Sequence, residues 1–236
     1  MIKKIIIIGL LAGVGVIFFQ LFQAYQVPTI LSNKLAVYYA QNAAREVGAA
    51  NLVSAIVVTY RGFDTLGEVT ILFLTAAIIS FVLKLKKEDR VPDRPIRETS
   101  ELLTSSSQVI VPVIFLVGIY IFINGHLTPG GGFQGGAVIA SGVLLMLLAN
   151  PHMEVSHKLV AFIESLSGIG FVVVGVLGLI LAGGFLDNRF LPLGTFGTLI
   201  SAGALPLIYI FIGLKVGAEL SNILGTISTH QNEKNS

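Results

Sequence analysis

Long apolar segments alternate with short polar ones along most of the chain. A helix that crosses a bilayer needs about 20 predominantly apolar residues. The shorter apolar stretch 51–60 is therefore predicted to lie at the membrane interface or to enter the membrane partway. The pattern predicts an all-α, polytopic membrane protein with six transmembrane helices, at residues 5–22, 65–84, 105–124, 132–149, 159–182 and 193–216.

The first predicted helix follows Lys3 and Lys4, as a signal peptide also would. The sequence after it is a poor cleavage site and the apolar run is long for a signal, so we expect a retained helix. With six helices, the basic loop 84–97 and most other lysines and arginines lie on the same side of the membrane as the N-terminus. The positive-inside rule therefore predicts that both termini are cytoplasmic. Residues 228–236 are predicted to form a loose polar tail.

The composition agrees with a multi-pass protein of the cell membrane. Hydrophobic residues make up 54% of the chain and charged residues 12%, whereas soluble domains carry about 25% charged residues. The chain has no cysteine, which excludes cysteine-ligated iron–sulfur clusters and disulfides within it. The four histidines show no ligand spacing. We therefore expect no cofactor, no metal site and no nucleic-acid partner for this chain, and any redox chemistry would belong to other subunits.

Charged side chains stand at the start of the second predicted helix, in the segment Y-R-G-F-D-T-L-G-E at 60–68. If this segment is helical, Arg61, Asp64 and Glu68 lie within about 60° of one another on one face. An ionised side chain costs about 3 kcal/mol or more at the membrane centre, so it usually has a partner or a function. The spacing Thr65-x-x-Glu68 also fits a helix capping box, and Asp64 fits an N-cap. Spacing alone leaves both interpretations open.

A glycine-rich segment, G-H-L-T-P-G-G-G-F-Q-G-G at 125–136, joins the third and fourth predicted helices. It contains G-x-G-x-x-G, but the strand and the soluble βαβ unit that a dinucleotide site requires are missing. The segment predicts a tight turn followed by close helix packing, or a turn alone. His126 beside it is predicted to be an interfacial histidine rather than a proton relay. The predicted structural loop comprises Pro129, Gly130, Gly131, Gly132, Phe133, Gly135 and Gly136.

Three further charged residues fall within predicted helices. Glu164 lies near the start of the fifth helix, where it is either a second buried acid or a side chain that reaches the interface. Lys215 and Glu219 are four residues apart at the end of the sixth helix, a spacing that suits an ion pair. We predict that this pair lies on the surface at the inner interface.

Both motifs resemble components of Mrp-type multisubunit Na⁺/H⁺ antiporters. The segment 60–68 resembles the signature near the C-terminal end of the large A-type component, and the segment 125–136 resembles the signature of the B-type component. On this resemblance, residues 1–88 correspond to the two-helix tail of the A-type component, while residues 105–227 correspond to the four-helix B-type component. Residues 89–104 would form a charged linker between them, and residues 228–236 the polar tail.

The resemblance implies roles for particular residues. Arg61 and Glu68 match positions that are important for ion transport in the A-type component, and Asp64 belongs to the same motif. Pro129 and Phe133 match important positions in the B-type component. On this basis the resemblance favours an ion-path role for Glu68 over a helix cap.

The resemblance also implies partners. They are other Mrp-type membrane subunits in the lipid bilayer and, where the module belongs to a membrane-bound hydrogenase, hydrogenase-like or iron–sulfur subunits. We therefore expect a membrane subunit of an Mrp-type module within a larger respiratory complex. It would contribute Glu68, Arg61, Asp64 and Glu164 to a path for Na⁺ or H⁺, without a catalytic centre of its own. The alternatives are a subunit of a stand-alone antiporter and a structural adaptor that transports nothing.

Overall fold

The chain folds into helices joined by short loops. A computed structural model describes residues 34–85, 99–153 and 155–233 and scattered positions between 4 and 20. The chain divides into two compact units, residues 1–40 and 41–236. The described helices are α1 (Lys34–Glu46), α2 (Leu52–Ser54), a π-helix (Ala55–Tyr60), α3 (Gly62–Leu85), α4 (Glu101–Ile123), α5 (Gly132–Ala149), α6 (His157–Ala182), a 3-10 turn (Asn188–Phe190) and α7 (Leu205–Glu233).

Five of the described helices, α3 to α7, are long and apolar enough to cross a membrane. They confirm the predicted all-α polytopic class, and α5 has the predicted bounds. Helix α4 begins at Glu101, four residues before the predicted start at residue 105, and the side chain of Ser100 caps it. The first predicted helix, 5–22, the basic loop 84–97 and the linker 89–104 lie largely outside the described residues.

Helix α7 is the central helix of the second unit and packs against α3, α4, α5 and α6. Its most apolar segment is 56% buried, whereas that of α3 is only 11% buried. Leu205, Ile208, Ile212 and Val216 on α7 follow helical spacing and form the core. Helix α3 thus leaves most of its apolar surface for lipid or for other subunits.

The prediction for the last transmembrane helix is wrong at both ends. Residues 193–204 form turns and not helix, because Gly194 and Gly203 adopt positive φ values of 67° and 55° that a helix does not allow. The helix begins at Leu205, so Pro206 lies in its first turn, where proline is tolerated, and does not kink a helix interior. At the other end, the helix continues to Glu233 instead of giving way to a loose tail at residue 228.

Candidate functional site

The backbone widens immediately before α3. In the π-helix Ala55–Tyr60, the N–H of Arg61 donates to the carbonyl of Ile56 over 2.9 Å, five residues back. The hydroxyl of Thr65 donates to the carbonyl of Val57 over 2.7 Å. Such π segments occur frequently at functional sites. Helix α3 begins at Gly62, so Thr65 lies inside it and the predicted capping box does not form.

Arg61 leaves the helical path, with φ −126° and ψ 41°. Its guanidinium pairs with Asp64, and both side chains are about half exposed. The condition for the predicted common face, a helix from Arg61 to Glu68, is therefore met only from Gly62 onwards, so Arg61 lies just before the helix that carries Asp64 and Glu68. Arg61 and Asp64 line a hollow of about 380 Å³, in which the ring of Phe63 stacks on Phe185 at 4.9 Å between centroids.

The glycine loop turns sharply and then packs closely. Gly130 and Gly131 have φ values of 151° and 159°, a conformation that side chains rarely allow. A Cβ atom on Gly132 would lie 2.5 Å from Cβ of Ile212 on α7. One on Gly136 would lie 2.7 Å from Cβ of Val216, one turn further along α7. This geometry confirms that the glycine motif allows close packing of two helices as well as a turn.

Two polar residues before α3 bind the glycine loop. The side-chain amide of Asn51 donates to the carbonyls of Gly125 at 2.8 Å and Thr128 at 2.9 Å, while its oxygen caps α2. The hydroxyl of Ser54 also donates to the carbonyl of Gly125. Sequence reasoning missed both residues, although an Asn before a helical segment is an N-cap signal. These bonds join the two motif-bearing parts of the chain.

His126 lies in the loop between α4 and α5, and the protein buries it fully. Its Nε2 lies 3.4 Å from the carbonyl of Thr198, and its Nδ1 has no hydrogen-bond partner among the described residues. Burial lowers the pKa of His126 from its usual 6.5, while backbone hydrogen bonds partly oppose that shift. The lowered pKa favours the neutral ring at neutral pH.

The two motifs meet at one cavity of about 200 Å³. Glu68 from α3 lies on one wall, and Gly130, Gly132, Phe133 and Gln134 lie on the other. Thr65 of α3, Tyr209 and Ile212 of α7 and three valines of α2 and the π-helix complete the lining. Glu68 is six residues beyond Gly62, or about 9 Å along the helix at about 1.5 Å per residue. The structure thus brings Glu68 together with the glycine loop and leaves Arg61 and Asp64 in the neighbouring hollow.

The other three charged residues that the sequence analysis placed within helices lie on α6 and α7. Glu164 on α6 is half-buried. Lys215 and Glu219 on α7 form an ion pair at 2.6 Å, with 8% and 0% of each residue exposed. The predicted surface pair is therefore wrong, because α7 is surrounded by four helices and leaves this face no access to solvent. Among the described residues, no group of three or more His, Asp or Glu could hold a metal ion.

Family models match both parts of the chain. The family described as "Domain related to MnhB subunit of Na+/H+ antiporter" matches residues 102–222, and the MbhE family, described as the E-type component of MBH, matches residues 3–100. The two matches adjoin between residues 100 and 102. An uncharacterized protein of Methanocaldococcus jannaschii is 32% identical over 72% of this chain and 74% of its own length.

Further relatives and solved structures agree with these matches. A probable K⁺/H⁺ antiporter protein of the combined A/B type from Rhizobium meliloti is 30% identical over 58% of this chain, which spans only 16% of that protein. The structure of an archaeal membrane-bound sulfane sulfur reductase contains a chain that is 39% identical, with a TM-score of 0.77 over 96% of this chain and 98% of that one. A chain in the Mrp complex of Dietzia, at 23% identity, shares the fold with a TM-score of 0.70 over 94% of this chain and 25% of that one. The chain therefore belongs to the MnhB-related family of Mrp-type membrane subunits and has a segment of the MbhE family fused at its N-terminal side.

Proposed function

We propose that this chain is a membrane subunit of an Mrp-type ion-translocating module in a larger respiratory complex. Glu68 would be the carboxylate that takes up the transported cation, Na⁺ or H⁺. The observation that carries the proposal is the shared cavity, which is lined by the exposed residue Glu68 of α3 and by four residues of the glycine loop. A carboxylate about 9 Å into a transmembrane helix is costly unless it has a partner or a function.

The surroundings of Glu68 fit a cation site at the mouth of a path. The π-helix and the glycine loop supply irregular backbone, which membrane proteins tolerate where it lines a cavity. Gln134 adds an amide oxygen to the lining, and Phe133 narrows it. Arg61 is paired with Asp64, so it leaves Glu68 free to bind a cation and acts only as a nearby positive charge. Glu68 can therefore bind and release its cation without breaking an ion pair to Arg61.

The partners proposed for this chain are other membrane subunits of the same module and, in the complete complex, iron–sulfur or hydrogenase-like subunits. Two observations support them. Most of the apolar surface of α3 is uncovered in this chain. The 39% identical chain belongs to a complex described as an archaeal respiratory membrane complex. We further propose a location in the cytoplasmic membrane, with both termini in the cytoplasm.

The test is ion transport by the purified complex. A tag on this chain isolates the complex, mass spectrometry identifies its subunits, and reconstitution into vesicles allows Na⁺ and H⁺ movement to be measured. We expect Glu68→Gln to assemble normally and to lose at least nine-tenths of the transport. Glu101→Gln, at an exposed acid in the first turn of α4, is the matched control and should transport normally.

Two outcomes would contradict the proposal. If an assembled Glu68→Gln complex transports ions at the wild-type rate, the chain has a structural role at this cavity and no carboxylate there takes up the cation. If the tag isolates this chain alone and the single chain transports ions in vesicles, the multisubunit proposal is wrong. Co-purification of antiporter subunits without redox subunits would instead identify a stand-alone antiporter.

A further inference from the structure

The ion pair between Lys215 and Glu219 is buried in the middle of a transmembrane helix. Lys215 lies ten residues beyond Leu205, or about 15 Å along α7, and Glu219 lies about 21 Å along it. The transmembrane part of α7 ends at Ser228, so both residues are near the centre of a bilayer about 30 Å thick. Ionisable residues at such depth are rare and usually mark ion or proton pathways.

In a purely structural ion pair, every buried polar atom would have a hydrogen-bond partner. This pair lacks one such partner. Nζ of Lys215 donates to Oε1 of Glu219 at 2.6 Å and lies 5.3 Å from the centre of the Phe73 ring on α3. Oε2 of Glu219 has no hydrogen-bond partner among the described residues, although no part of Glu219 is exposed. A buried polar atom without a partner destabilises the fold, so an atom that is retained in this state suggests a function.

Glu164 lies on α6, which packs against α7, and it interacts electrostatically with Glu219. It is seven residues beyond His157, or about 10 Å from the end of α6 that lies opposite the glycine loop. The charged groups that act on Glu219 are Lys215 and Glu164. Among the helices packed against α7, α5 has no ionisable side chain. The other three helices carry ionisable side chains that lie nearer the helix ends than Glu219 does: Tyr120 of α4, Asp64 and Glu68 of α3, and His157 and Lys158 of α6.

Three ionisable residues therefore occupy successive depths along α3 and α7. Glu68 is about 9 Å from the end at which α3 and α7 begin, Lys215 about 15 Å and Glu219 about 21 Å. Glu164 on α6 lies at about the depth of the Lys215–Glu219 pair, because Gly168, one turn further along α6, packs against Lys215, and Val155, just before α6, packs against Gly225 of α7. Each step along this series covers about 6 Å of depth, less than the length of two extended side chains.

We propose that Glu164, Glu219 and Lys215 form a proton relay that continues from the Glu68 cavity to the opposite side of the membrane. A proton from the carboxyl group of Glu164 passes to Oε2 of Glu219. Lys215 releases one proton towards the Glu68 cavity, and the protonated Glu219 then returns a proton to Nζ. One proton has moved, the ion pair is restored, and no oxidation or reduction is involved.

The relay rests on the proposed ion path through Glu68, and a double variant tests it directly. Lys215→Met with Glu219→Leu removes both charges at once and leaves neither one buried alone, a change that proteins often tolerate. We expect the reconstituted complex to assemble with this change and to move protons at one-tenth of the wild-type rate or less. Ser221→Ala, at a buried hydroxyl on the same helix, is the control and should leave the rate unchanged.

The outcomes separate this inference from the proposed function. Wild-type proton movement by an assembled double variant overturns the relay. If Glu68→Gln abolishes transport in the same preparations, the proposed role of Glu68 stands even though the relay is overturned. If the double variant does not assemble, Glu164→Gln decides, because Glu164 is half-buried and has no ion pair to lose among the described residues. We expect a tenfold slower proton movement from Glu164→Gln, and a wild-type rate overturns the relay.

A spectroscopic measurement distinguishes proton exchange from a structural role. A relay carboxyl takes up and loses a proton during turnover, so infrared difference spectra of the working complex should contain the C=O band of a protonated carboxyl. The relay predicts contributions to that band from both Glu164 and Glu219, and we expect the Glu219 component to be lost in Glu219→Gln and both components to persist in Glu101→Gln. A band that is unchanged in Glu219→Gln means that Glu219 does not exchange a proton.

Discussion

The close contact between α5 and α7 predicts a specific cost for adding one methyl group. A Cβ atom on Gly132 would lie 2.5 Å and 2.6 Å from Cβ and Cγ2 of Ile212. Carbon atoms prefer separations of about 3.5–4.0 Å, so the two helices must move apart by about 1 Å. Overpacking of this kind costs about 1–3 kcal/mol, while replacement of a helical glycine by alanine recovers about 1 kcal/mol or less. We expect Gly132→Ala to destabilise the complex by about 0.5–2 kcal/mol.

A matched variant lies in the other motif. Gly67 is also inside a helix, but a Cβ atom there would meet nothing within 4 Å in this chain. Gly67→Ala should therefore be neutral or stabilising by up to about 1 kcal/mol, because only the helix propensity changes. The assay is the denaturant midpoint of the tagged complex in detergent, together with the yield of assembled complex. Equal midpoints for Gly132→Ala and Gly67→Ala would refute the argument that the glycine motif serves close packing.

Two further predictions concern the loop that faces Glu68. Asn51→Ala removes a helix cap and two hydrogen bonds to the loop, so we expect a loss of about 2–3 kcal/mol; Asn51→Asp keeps the cap oxygen but places a carboxylate oxygen against the two loop carbonyls, so it should lose at least as much, and a higher denaturant midpoint for Asn51→Asp than for Asn51→Ala would contradict this account. Because burial lowers the pKa of His126 below 6.5, the neutral ring stabilises the folded state above that pH, and this contribution is lost as the pH falls further. The thermal stability of the wild-type complex should therefore decrease below pH 6.5 more steeply than that of His126→Gln; parallel curves would show that His126 does not contribute.

The transmembrane helices could be predicted because lipid imposes a length and a composition on each of them. This is clearest for α5, whose sequence bounds and structural bounds coincide. The prediction failed where an apolar residue lies in a turn. Leu199 and Ile200 read as part of a transmembrane helix, yet they lie among the turns before α7 and are 51% and 87% exposed. Hydropathy describes side chains and not the conformation of the backbone. It therefore cannot show that glycines within an apolar segment adopt positive φ values, which exclude a helix there.

The candidate site was predicted in part for a similar reason. Both motifs could be found in the sequence, but their meeting at one cavity depends on contacts such as the one between Asn51 and Gly125, 74 residues apart. The break in the helix at Arg61, directly after the π segment, could not be predicted because no periodicity reveals it. The error at Lys215 and Glu219 has another origin, since a spacing of four residues fits an exposed and a buried pair equally well.

Burial changes what the Lys215–Glu219 pair can do. On a surface, such a pair contributes about 0–1 kcal/mol and water exchanges its protons freely. In the centre of α7, Glu219 is fully buried and Lys215 is 8% exposed, so the ionisable groups beside Glu219 are the ones that can pass it a proton. Glu164 is the acidic group that acts on Glu219, and it lies towards the end of α6 away from the Glu68 cavity. In the proposed path, the two parts of the chain would contribute different elements: the first would provide Glu68 at the mouth, and the second the glycine loop beside it and the charges beyond it.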